Sequence, residues 1–86
     1  MTSNTQQVSL PRKLFRISEI AAHTGLSRQT LHTYSTLGLI IEAQRTPGGH
    51  RLYEESVFAR IAEIKRLASL GMTLEKIRLL LSRKET

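Results

Sequence analysis

Between Ile17 and Leu37 the chain carries two short runs of apolar residues at helical spacing, separated only by Thr24, Gly25 and Leu26. Two short helices joined through about three residues, one of them glycine, form the pattern of a helix-turn-helix. In the first run Ser18 is expected to cap a helix that turns Ile20, Ala21 and the following Leu26 inward, with Gly25 as its stop. In the second, Ser27 caps a helix over 28–37 whose inner stripe is Leu31, Tyr34 and Leu37, and Gly38 ends the last turn. Ahead of both, 14–17 reads as a short strand.

The next signal has a different period. Pro47, Gly48 and Gly49 mark a tight turn, and the residues around them suit short strands, which predicts a β-hairpin wing over 44–53. Arg45 and Arg51 then flank the turn, and the two glycines let backbone come close to a partner. A third helix is expected over 55–70, with Val57, Phe58, Ile61, Ile64, Leu67 and Ala68 inside, Glu54 and Glu55 at its positive end and Gly71 closing it. Thr73 caps a fourth, with Leu74, Ile77, Leu80 and Leu81 inside. The fold class is therefore mainly α, a winged helix-turn-helix of four helices with a small β-hairpin wing. The domain spans 14–82, between a polar, disordered tail over 1–13 and a short tail over 83–86.

Eighty-six residues leave room for one modest core and no separate catalytic domain. Lys and Arg number 13 against 7 Asp and Glu, a formal charge of +6, which favours a polyanionic partner. The layout is more informative than the sum. No acidic residue lies between Glu19 and Glu42 or between Glu42 and Glu54, while Arg28, Arg45 and Arg51 fall inside those gaps. The expectation is an uninterrupted cationic surface, built from the second helix and the wing, that faces phosphates. With no cysteine the chain has no disulfide or thiolate metal site. Nor is there an apolar run long enough for a membrane span or signal peptide, so a soluble, cytoplasmic, nucleoid-associated protein is expected.

Three blocks carry a family likeness. Ile17-Ser18-Glu19-Ile20-Ala21, Thr24-Gly25-Leu26-Ser27, Thr30-Leu31-His32-Thr33-Tyr34 and Gly38-Leu39-Ile40 resemble the opening of MerR-family transcriptional regulators. Arg45-Thr46-Pro47-Gly48-Gly49-His50-Arg51-Leu52-Tyr53 is similar to that family's wing, and Leu70-Gly71-Met72-Thr73-Leu74-Glu75-Lys76-Ile77 to its second helical pair. The resemblance implies a bacterial DNA-binding domain that acts on promoters. Its partners would be double-stranded DNA and RNA polymerase, and a homodimer would form only if a C-terminal coiled coil follows. The chain departs from the family where arginine is common at the position of His32, tyrosine at Thr33, glutamate at Ser35 and a basic residue at Ala68.

The outward face of the second helix carries Arg28, Gln29, His32 and Thr33 with no acidic neighbour, and that face is expected in the major groove. Arg28 and Gln29 are the expected base readers, because arginine can bridge guanine O6 and N7 and glutamine adenine N6 and N7. His32 fits a phosphate or a base edge. Tyr34 belongs to the core, with a secondary reach of its hydroxyl to phosphate. Arg45, His50 and Arg51 are the wing's expected contacts to backbone or minor groove. Each of these exposed side chains also fits a merely solvated surface. Lys65 and Arg66 on the third helix are expected to be solvated, the alternative being a second wing.

His23, His32 and His50 lie on three elements without paired spacing, so neither metal nor cofactor is expected. There is no aspartate for a catalytic triad and no glycine-rich phosphate loop ahead of a helix, so no enzyme is expected. Two other readings stand beside a regulator's DNA-binding domain. One is a small architectural protein, resembling excisionases, that acts on repeated sites without sensing a ligand. The other is a protein-interaction module that uses the leucines of the fourth helix.

Overall fold

The computed structural model describes residues 13–84. The expected N-terminal tail lies outside the described residues except for Lys13, as do residues 85 and 86 of the expected C-terminal tail. In chain order the elements are β1 (Phe15–Arg16), α1 (Ile17–Thr24), α2 (Arg28–Thr36), β2 (Gln44–Arg45), β3 (Arg51–Tyr53), α3 (Ser56–Ser69) and α4 (Leu74–Lys84). These are the four expected helices. The wing gains a strand: β1 pairs antiparallel with β3 (Phe15 opposite Tyr53), β3 pairs antiparallel with β2 (Arg45 opposite Arg51), and the strand order is β1-β3-β2.

Helix α1 starts two residues earlier than a Ser18 cap predicts. Its cap is Arg16, whose backbone N–H donates to Glu19 Oε1 at 2.8 Å. A carboxylate that reaches back one turn makes a charge-assisted bond and also complements the helix dipole, so it displaces a serine hydroxyl from the role. Ser18 lies exposed in the first turn. At the other end Gly25, with φ of +79°, donates its N–H to Ala21 O at 2.9 Å, a left-handed stop that side chains resist.

The turn between α1 and α2 is fastened from both sides. Thr24 Oγ1 donates to Ile20 O at 2.8 Å and accepts from the Leu26 N–H at 3.2 Å, while Lys65 Nζ of α3 donates to Thr24 O at 3.2 Å. Ser27 Oγ accepts from the Thr30 N–H at 3.0 Å, the expected cap of α2. Thr73 Oγ1 accepts from the Lys76 N–H at 3.1 Å and starts α4 in the same way.

One core joins the four helices and β3. Ile20 of α1, Leu31 and Tyr34 of α2, Tyr53 of β3, four residues of α3 (Val57, Ile61, Ile64, Leu67) and Ile77 and Leu81 of α4 are buried together. Leu39 and Ile40, in the segment between α2 and the wing, complete it. Ala68 does not belong to it, contrary to the periodicity. Leu67 takes the inward position, and the next residue, about 100° further round the helix, is exposed. Among the described residues no polar or charged side chain is buried, so every cation of the fold is at the surface.

Candidate nucleic-acid interface

Helix α2 shows solvent a continuous strip at positions 28, 29, 32 and 36, which share one face at helical spacing, with Thr33 half-buried beside it. The opposite stripe, Leu31 and Tyr34, is buried. Arg28 and Gln29 stand in the first turn, where no acidic residue offsets the positive end of the helix dipole. Neither side chain has a partner among the described residues. The Thr33 hydroxyl is already engaged, donating to Gln29 O at 3.1 Å, which leaves its oxygen lone pairs and methyl group for a ligand.

Strand β3 joins this strip to the wing. Arg51 and Tyr53 lie two residues apart and so project from the same face of the sheet, toward α2. Tyr53 Oη and Ser35 Oγ share a hydrogen bond of 2.8 Å, and Arg51 Nη1 donates to His32 Nδ1 at 3.2 Å. His32 and Ser35 are three apart on α2, so two rungs of the strand meet two rungs of the helix. Helix and wing are thereby held as one surface.

The wing is held as tightly within itself. Gly49 donates to Thr46 O at 2.8 Å, Thr46 donates to His50 O at 2.9 Å, and the His50 N–H donates to Thr46 Oγ1 at 3.1 Å. Gly49 has φ of +88° and requires glycine, whereas a side-chain carbon at Gly48 would meet the His50 ring at an ordinary 3.6 Å. His50 lies exposed at the tip.

The expectation of an uninterrupted cationic surface is corrected at this point. Glu42 lies within the wing's charge cluster: Arg45 Nε donates to its Oε2 at 2.6 Å and Arg45 Nη2 to its Oε1 at 3.3 Å. Arg51 Nε stands 3.0 Å from the same Oε1. The hydrogen bond from Arg45 is the main cause that holds the Glu42 carboxyl below the usual glutamate range, and Glu42 in turn raises Arg45. Two guanidinium groups and one carboxylate leave the wing with a net charge of about one, not two.

In the sequence Glu42 stands only as the edge of an acid-free gap. The signal was present, since the Pro47-Gly48-Gly49 turn places Arg45 opposite Arg51, and Glu42 lies three residues before Arg45.

The remaining expected residues divide. Tyr34 is 6 % exposed, and burial raises its pKa, so the hydroxyl stays protonated. Its core role is observed. Arg66 is paired to Glu63 through two bonds of 3.1 and 2.8 Å, and Lys65 serves the helix-turn-helix turn.

The arrangement of two crossed helices, a three-stranded wing and a second helical pair is matched by known proteins. Residues 15–84 match the family described as "MerR HTH family regulatory protein". The chain belongs to the MerR family. Its winged helix-turn-helix is the DNA-binding domain of that family. Within the family the chain is 42% identical over 67 residues to nodulation protein NolA of Bradyrhizobium sp. (strain NC92), covering 78% of this chain and 28% of NolA. It is 43% identical over 63 residues to the mercuric resistance operon regulatory protein of Bacillus cereus, covering 73% of this chain and 48% of the relative. The chain thus spans less than half the length of either MerR relative. In fold it is similar to HiNmlR, "a MerR family regulator lacking the sensor domain, bound to promoter DNA", at a TM-score of 0.71 and 24% identity, over 79% of this chain and 54% of that one. Among the described residues no helix is long and apolar enough to cross a membrane.

Proposed function

We propose that this domain recognises double-stranded DNA in a sequence-dependent way, as the reading head of a bacterial transcription regulator that works in the cytoplasm. Helix α2 enters the major groove, where Arg28 and Gln29 meet base edges and His32 and Thr33 follow along the groove. The wing lies along the adjacent backbone, with Arg45, Arg51 and His50 toward phosphates. The observation that carries this reading is the 3.2 Å bond from Arg51 to His32, which makes the exposed face of α2 and the wing one rigid surface. A binding role is assigned and no catalytic one.

Relatives support the regulatory part of the reading. The Bacillus cereus protein is named for regulating an operon, and HiNmlR was solved on promoter DNA. One such domain with about four to six phosphate contacts binds weakly alone. Pairing through a coiled coil C-terminal to α4, and action on RNA polymerase at a distorted promoter, belong to the same proposal. The protein-interaction reading loses support, because Ile77 and Leu81 of α4 are taken up by the domain's own core.

The test is selection of bound duplexes from a random DNA library, followed by titration of the labelled domain at low and rising salt. The expected outcome is a defined half-site, amide shifts confined to α2 and the wing, and a log-log salt slope near the phosphate count of about four to six. Amide signals of both elements that stay unmoved at low ionic strength would refute the reading.

A further inference from the structure

Arg51 carries only donors, so the nitrogen that faces it at 3.2 Å, His32 Nδ1, must accept. An imidazole that accepts at Nδ1 is neutral and holds its proton on Nε2. Nε2 has no partner among the described residues, and His32 is exposed on the proposed reading face. The guanidinium that imposes this state is itself oriented, since Arg51 Nε is 3.0 Å from Glu42 Oε1. One edge of the Arg51 fork is therefore turned to the carboxylate and another nitrogen is aimed at the histidine. Arg45, which binds both oxygens of Glu42, keeps that carboxylate from rotating away.

We propose that Glu42 is a positioning residue for sequence recognition: through Arg51 it fixes His32 as the Nε2–H tautomer, so that α2 offers a hydrogen-bond donor to an acceptor on a base edge. In the major groove such acceptors are guanine N7 and O6, adenine N7 and thymine O4, whereas cytosine N4 is a donor and is rejected. The chain Glu42, Arg51, His32 thus converts an acidic residue, which on charge alone opposes DNA, into a determinant of which base is accepted. A second effect follows from charge. Glu42 neutralises one wing cation, which weakens attachment to arbitrary sequence and leaves discrimination to α2.

The tautomer part is testable without DNA, whereas its effect on recognition rests on the DNA-binding reading above. The variant is Glu42→Gln, which keeps the shape of the side chain and removes its charge. The probe is the ring ¹⁵N spectrum of His32 in the free domain at about pH 8, where imidazole is neutral. Wild type is expected to give the Nε2–H pattern, and Glu42→Gln a shift toward a mixture of tautomers, with the rest of the amide spectrum intact. Arg51→Lys, which keeps the cation but loses the planar fork, is expected to shift the same His32 signals.

On duplexes, Glu42→Gln is expected to lower the preference for the selected site over a scrambled one by about tenfold, the loss of one base-edge contact. Binding to the scrambled duplex becomes tighter, with a salt slope steeper by about one. His32 signals unchanged in both variants overturn the proposal, as does an unchanged preference. If wild type shows the Nε2–H pattern and Glu42→Gln disturbs it while neither binds DNA, the functional reading fails and the positioning role of Glu42 stands.

Discussion

Helix α2 and the wing lie side by side on one surface, yet they hold their polar groups in opposite ways. At the start of α2, Arg28 and Gln29 extend without partners among the described residues. In the wing Arg45 and Arg51 share Glu42, Arg51 also reaches His32, and His50 is tied to Thr46. A free side chain loses rotamer entropy when it binds but adapts to whichever base edge it meets. A preset one loses less and adapts less. Under the proposed reading the division suits the two tasks: phosphates recur at fixed spacing along any duplex and reward a preset contact, whereas Arg28 and Gln29 can adapt to varied base edges, with His32 as the preset donor on the same face.

That contrast can be broken or sharpened experimentally. The largest effect is expected from Leu31→Ala. Leu31 is fully buried beneath α2, and its loss should reduce unfolding free energy by about 2–5 kcal/mol in a urea titration. Helix and wing amide signals should disappear together. A wing that persists after α2 melts would show that the two are separate units. Next comes Arg28→Ala, expected to weaken binding to the selected duplex by about 1–3 kcal/mol and to relax preference at one base pair. Equal loss on all sequences, read by fluorescence anisotropy, would move Arg28 from the adaptable class to the preset one.

Arg45→Ala is the wing counterpart. It is expected to weaken binding to selected and scrambled duplexes and to lower the salt slope by about one. A slope unchanged within error removes Arg45 from the phosphate contacts. The smallest effect is on pH. Glu42, Glu19 and Glu75 are each held below the usual carboxylate value, by hydrogen bonds from Arg45, the Arg16 backbone and Arg78 respectively. A depressed folded pKa contributes stability that is present above the unfolded value and is lost as pH falls through the folded one. The melting temperature should therefore decline on acidification below the ordinary glutamate range, slightly less in Glu42→Gln than in wild type. Identical acid profiles would mean that Glu42 adds nothing to stability.

The sequence revealed those parts of the fold whose causes are local. Ser27 and Thr73 cap helices through their own hydroxyls, Gly25 stops a helix through its own backbone, and 3.6-residue periodicity exposed Ile61, Ile64 and Ile77 as core. Competition between neighbours was harder to read. Ser18 and Glu19 both offer oxygens to the start of α1, and the longer, charged side chain wins. Ala68 and Leu67 both fit an inward position, and the larger one occupies it.

For the interface, residue identity was legible but pairing was not. Arg45 and Arg51 stood out as cations, yet their common anion emerges only once strand register folds Glu42 against both. Ser35 carried no charge to draw notice, and its bond to Tyr53 depends on the distance between a helix and a strand that lie 18 residues apart.

An interior without polar or charged side chains among the described residues has one more implication, for how such a domain diversifies. Positions 28, 29 and 32 are exposed and make no contribution to the core, so exchanges there leave stability nearly unchanged and add independently where the sites do not touch. If these positions read DNA as proposed, duplicated copies can drift to new operators one surface residue at a time, on an unchanged scaffold. Position 32 is the exception, since its ring answers to Arg51 and must change in concert with the hairpin.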